Sequence, residues 1–166
     1  MAIPVYLWLK DDGGSHFKGS VVVNNREGSI EVNSFIHSID FPVDENTGKL
    51  TGNRIHQPLG FLKEIDASSI YLYKALTTGK MLKSAEFRFY NINNSGQEFE
   101  YYNTLLQFVK VVSITPIMYD IKDPDHENKG HIEAVELRYE KITWICKDGN
   151  IIHSDSWNER TTAQEV

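Results

Sequence analysis

Cysteine is almost absent. Cys146 stands alone in 166 residues, so no internal disulfide and no zinc site of paired thiolates is available, and stability must come from packing. A single cysteine of this kind is expected in the core. Long apolar runs are absent too: no stretch approaches the roughly 20 residues that span a bilayer. The opening MAIPVYLWLKDDGG has no basic leading region, is interrupted by Pro4 and is ended by Lys10, Asp11 and Asp12, so no cleavable signal peptide is expected. Synthesis in the cytoplasm without membrane insertion is the expectation, and any export must read the folded surface. Positive charge is in deficit, with 17 Lys and Arg against 23 Asp and Glu and a formal net charge of −6. Nothing electrostatic calls for nucleic acid or an anionic lipid as partner.

Catalytic and cofactor signatures are missing as well. His16, His37, His56, His126, His131 and His153 are scattered without an HExxH or comparable ligand spacing. His126 and His131 sit in a polar stretch and are read as solvated. In HSDSW, alternation places His153 and Asp155 on one strand face but turns Ser154 and Ser156 away, so a hydrolase reading lacks a nucleophile set against its base. Gly79-Lys80 lacks the flanking residues of a phosphate loop, and no GxGxxG occurs. Asn93-Asn94-Ser95 fits a glycosylation acceptor but falls where a hairpin must turn. No enzyme activity, cofactor or metal is expected.

What is present is strand after strand. Residues 5 to 9 alternate yet are apolar on both faces, and extended segments are expected at 17 to 23 and 29 to 39, the latter reading SIEVNSFIHSI. SAEFRFYNI, the turn NNSGQ and EFEYYNTLLQFVKVVSI form a hairpin, and VELRYEKITWICKDGNIIHSDSW forms another with Asp148-Gly149 as its turn. One helix is legible in SSIYLYKALTTGK, with Ser68 as N-cap, Leu72, Ala75 and Leu76 as a stripe, and Gly79 as C-cap. Residues 41 to 58, bracketed by Pro42 and Pro58, read as a long exposed loop, a length that is commonly functional. Strands joined by turns give a mainly β chain of one domain over residues 1–166: a β-barrel of two antiparallel sheets with one short helix and an extended loop, ending in a frayed tail at 161–166.

One pattern resists that simple plan. Val135, Leu137 and Tyr139 share a face, but Ile142, Trp144 and Cys146 continue on the other parity. Because strand side chains alternate strictly, the chain needs a bulge near 139 to 142, or a strand covered on both sides by something beyond its own core. Val5 to Leu9 is also apolar on both faces, and Phe99, Tyr101 and Tyr102 carry aromatics on both sides of another strand. Together these favour burial against a neighbouring subunit.

The segments MAIPVYLWL, REGSIEV, TGKLTGNRIHQPLGF, SIYLYKA, VELRYEKITW and KDGNIIHSDSWNER, spread over nearly the whole chain, resemble the haemolysin-coregulated protein family. The resemblance implies a small β-barrel that is the inner-tube protein of the type VI secretion system: a homo-hexameric ring, stacked into a tube that carries effector proteins in its lumen and leaves the cell without a cleavable signal. Sheath, baseplate and spike proteins are implied as further partners. The loop from Asp44 to Ile55 corresponds to the family's extended loop, which reaches an adjoining ring. Asn46, Thr47, Lys49, Thr51 and Arg54 would then offer donors and acceptors, and Leu50 and Ile55 apolar plugs. SIEVNSFIHS resembles a lumen-lining strand, with Ser34, Ile36 and Ser38 on one face. The competing reading is a monomeric ligand-binding β-barrel in which Trp8, Trp144 and Trp157 form a stacking platform.

Overall fold

The computed structural model describes residues 3–157, so the tail at 161–166 lies outside the described residues. These fold in the order β1 (Val5–Lys10), β2 (Ile30–Val32), β3 (Ser34–Ile36), β4 (Ile39–Asp40), β5 (Ile55–His56), β6 (Leu59–Glu64), α1 (Ala67–Thr78), β7 (Leu82–Ile92), β8 (Glu98–Ile117), β9 (Ile132–Arg138), β10 (Lys141–Cys146) and β11 (Ile151–Ser156). Every ladder is antiparallel. One sheet runs β2-β1-β7-β8 and continues through β10 to β11, and the other runs β3-β6-β9-β8. The barrel closes through residues 30–36. β2 pairs with β1 and β3 pairs with β6, while the Asn33 amide between them donates to the Leu62 carbonyl at 2.7 Å.

The changing face of residues 135 to 146 is a corner between the two sheets. β9 lies between β6 and β8 in one sheet, and β10 lies beside β8 in the other. Tyr139 and Glu140 make the turn, with the Glu140 amide donating to the Gln107 carbonyl. Val135, Leu137, Tyr139 and Ile142 all enter a single core, so the parity shift needs no outside cover. β8 bends at the same level: Phe108 has a φ of 55° and the register slips between Val111 and Ser113. A positive φ at a bulky residue is a costly conformation that re-aims the strand from one sheet to the other.

The two-faced β1 is likewise covered by its own chain. Leu7 and Leu9 join the main core, while Tyr6 packs outside with Val21, Tyr90 and Trp8. The Arg26 guanidinium lies 4.0 Å from the Tyr90 ring centre and pairs with Glu98. The strand expected at 17 to 23 does not form. The Phe17 amide still donates to the Leu9 carbonyl of β1, but Gly19 turns to the Gly28 carbonyl and Val21 to the Ser29 carbonyl, giving a lid over Tyr6 instead of a sheet member. Gly19 permits this: a Cβ there would stand 2.2 Å from the Ser29 oxygen.

The helix starts two residues earlier than Ser68 suggests. Asp66 is the N-cap, accepting from the Ser68 amide at 2.9 Å, while the Ser69 hydroxyl accepts from the Asp66 amide, a reciprocal cap. Gly79 closes the helix with φ 65°, and Leu72 and Ala75 bury against the sheets. Tyr71 stacks on Phe17 at 5.4 Å, so it packs as a structural residue. Cys146 is only partly buried, not a core residue, because β10 lies at the rim where the first sheet runs out toward β11.

Strict alternation along β6 carries Leu59, Phe61 and then Lys63 inward. Lys63 is fully buried, with its ammonium 2.6 Å from Glu133 and within 3.2 Å of Asp66, and it also donates to Ser69 and the Glu64 carbonyl. Burial alone would raise the Asp66 carboxyl, but the Ser68 hydroxyl and the Lys63 charge outweigh it and hold it below the usual range. Breaking such a pair from one side strands a buried charge. Glu133→Ala is therefore expected to cost about 3–5 kcal/mol, and Lys63→Met combined with Glu133→Leu to recover most of it, as read from urea unfolding midpoints.

Candidate functional site

Residues 41 to 58 are an ordered hairpin. β4 and β5 pair at its base, Val43 and Leu50 bridge further out, and the turn closes through Asp44, whose amide donates to the Lys49 carbonyl while its own carbonyl accepts from Gly48. The Asp44 carboxylate accepts from the Asn46 amide at 2.8 Å, and the Thr47 hydroxyl accepts from the Lys49 amide at 3.4 Å. At about 3.3 Å per residue, each arm reaches on the order of 20 Å from its base. Its apolar side chains point into solvent: Leu50 is 62% exposed, Phe41 51%, Val43 49% and Ile55 47%. Asn46, Thr47, Lys49 and Thr51 are exposed beside them.

Arg54 plays a different part from its loop neighbours. Its Nε donates to Asp155 Oδ2 at 2.6 Å and its Nη2 to Asp155 Oδ1 at 2.7 Å, with a further bond to the Ser156 carbonyl at 3.0 Å. This two-pronged pairing anchors the returning arm to β11. His56, one step past Ile55 on the opposite face, is buried and sends Nε2 to Asp155 Oδ2 at 2.8 Å and Nδ1 to the Tyr139 hydroxyl at 2.6 Å. His37, which leads into β4, meets the same hydroxyl at 2.8 Å. Both ends of the hairpin thus converge on the sheet corner. The Arg54 bonds, together with His56, hold the Asp155 carboxyl below its ordinary value, burial with the neighbouring His56 lowers His37, and burial pushes the Tyr139 hydroxyl up.

Sequence reasoning weighed Asp155 against its strand neighbour His153, whereas its imidazole partner lies 99 residues away in the chain. His153 instead stacks flat on Trp144, with ring centres 6.0 Å apart. Ser34, Ile36 and Ser38 do share one exposed face, and Ile36 is 73% exposed. The intervening Phe35 packs on Phe87 and Phe89 inside the barrel. The three tryptophans keep separate company. Trp8 lies under Arg88, Trp144 against His153, and Trp157 donates its indole N–H to the Tyr139 carbonyl. That dispersal removes the stacking platform on which the ligand-binding reading rested. Among the described residues no group of three or more His, Cys, Asp or Glu is placed to hold a metal, and no helix is long and apolar enough to cross a membrane.

Comparison with known proteins adds a family to this fold. A family model described as type VI secretion system effector, Hcp, matches residues 6–145. The chain belongs to the Hcp family. This Hcp-family chain is 32% identical over 139 residues to the Major exported protein of Pseudomonas aeruginosa, covering 84% of this chain and 81% of that one. A doubly substituted Hcp1 from the E. coli EAEC 042 pathovar superposes with a TM-score of 0.85 at 64% identity, over 94% of this chain and 99% of that one. The secreted protein Hcp3 of Pseudomonas aeruginosa has a TM-score of 0.77 at 24% identity, over 95% and 100% of the two chains, a likeness of fold alone. Membership places the protein in a family of type VI secretion.

Asp155 links charge to loop anchorage. Since its carboxyl is lowered in the fold, its contribution is complete above the usual carboxylate value of about 3.9 and is lost as pH falls through the lower folded value. Asp155→Asn is expected to flatten the acid limb of the stability profile and to cost about 2 kcal/mol at neutral pH, measured by denaturant unfolding across pH.

Proposed function

We propose that this chain is the tube subunit of a type VI secretion system, a homo-hexameric ring that stacks on further rings through the hairpin at 41–58. The observation that carries the reading is an anchored hairpin displaying Phe41, Val43, Leu50 and Ile55 to solvent. An isolated subunit gains nothing by fixing exposed apolar groups, whereas an adjoining ring would bury them. A second support lies at β11, which among the described residues pairs only with β10 and exposes Ile151 and Ile152 to 67% and 56%. An open ladder edge with apolar side chains suits head-to-tail contact around a ring, in which two different surfaces of one subunit meet.

The exposed face of Ser34, Ile36 and Ser38 is assigned to the lumen, where it meets effector proteins. Sheath, baseplate and spike proteins are the remaining partners, and the protein resides in the cytoplasm until firing exports it. Electron microscopy with light scattering tests the assembly: annular particles and stacks are expected, and a chain that stays monomeric at high concentration refutes it. Leu50→Asp with Ile55→Asp is expected to leave the barrel folded and the rings intact while abolishing stacking and secretion. Ile36→Arg is expected to preserve rings and stacks yet change which effectors co-purify.

A further inference from the structure

The contacts that hold the hairpin form one continuous chain of hydrogen bonds, and its proton count is limited. Asp155 Oδ2 accepts from His56 Nε2, which leaves His56 Nδ1 facing the Tyr139 hydroxyl, with His37 Nε2 on that hydroxyl's other side. With both imidazoles neutral, His37 donates to Tyr139 and Tyr139 donates to His56, so every group is satisfied. One added proton is also accommodated. If it lies on His56, the tyrosine reverses and donates to a neutral His37. A second proton is not accommodated, because both imidazolium groups would donate to the same oxygen and leave its own O–H without an acceptor.

We propose that this chain is a proton-counting latch on the 41–58 hairpin, which holds the hairpin with up to one imidazole proton and releases it when both His37 and His56 are charged. The proposal rests on the stacking reading for its consequence: rings would come apart in acid.

The charged surroundings oppose the second proton. The Arg54 guanidinium lies on Asp155 from the hairpin side, and the Arg138 Nη1 reaches the His56 carbonyl at 3.5 Å from β9. Among the described residues, Asp155 on β11 is the carboxylate bonded to His56, and it is already bonded twice to Arg54. His37 is lowered by burial and by the His56 charge. The unfolded chain therefore takes up that proton first, near the ordinary histidine value of about 6.5, and stability falls as pH drops from there toward the lower folded value.

Hydrogen–deuterium exchange of the full chain at about pH 7.5 and about pH 5, corrected for intrinsic rates, tests the release, with protection of hairpin amides expected to fall at least about tenfold in acid while β7 is unmoved. His37→Gln keeps a polar partner for Tyr139 but cannot gain the second proton, so its hairpin should stay protected at both values. Should that variant misfold, side-chain NMR titration of the parent chain serves: two coupled imidazole steps support the latch, and two independent steps at the ordinary value overturn it. Equal hairpin protection at both pH values, or acid release unchanged in His37→Gln, also overturns it. A chain that never stacks but still opens this way sinks the stacking reading and keeps the latch. Stacking that persists over a hairpin insensitive to pH does the reverse.

Discussion

The architecture depends on a single 20-residue strand serving two sheets. β8 gives its first half to β7 and β10 and its second half to β9. To do so it accepts a positive φ at Phe108 and a register slip a few residues later. Residues 135 to 146 follow it round the same bend, because a strand lying on a bent neighbour must itself break. The corner at Tyr139 is thus the local answer to a strain generated in β8, and it is also the point to which the hairpin is tied.

Two polar clusters are built into this apolar frame, and they differ in what they secure. Lys63 with Glu133 and the Ser69 hydroxyl locks the start of α1 to the end of β6 and the start of β9. It contributes specificity of docking at a substantial desolvation cost. Arg54, Asp155, His56, Tyr139 and His37 secure a surface element instead, and several of them remain partly open to solvent. The first cluster is suited to permanence and the second to reversibility.

Much of the fold was legible in the chain. Alternation marked β1, β7, β8 and β9, and turn chemistry marked both hairpins, with Asn93 accepting from the Ser95 and Gln97 amides where a glycosylation pattern was the alternative. The barrel, the helix and the loop followed, and the family resemblance was supported by the match over residues 6–145. Where the reading failed, nonlocal partners decided. Residues 17 to 23 have strand-like composition but pair with their own loop, and Asp66 displaced Ser68 as cap because its side chain reaches the free amides. The surplus apolar faces of β1 and of residues 135 to 146 pointed to a neighbouring subunit, yet the lid and the corner cover both. Apolar side chains that do lie open include those of the hairpin and of β11, together with Ile36, Phe99 and Tyr101. Alternation could not show the His56 and Asp155 pairing, since it reports which face a residue takes and not which distant strand it meets.

The position of β9 has a consequence for synthesis. It is the stave between β6 and β8, so the ring of hydrogen bonds cannot be completed until residue 138 has left the ribosome. Until then the nascent chain carries two raw edges, and at about 5–20 residues per second that interval lasts seconds. A chain whose last stave arrives so late depends on slow, nonlocal pairing to finish, and crowding by sister copies during translation is the hazard it must outrun.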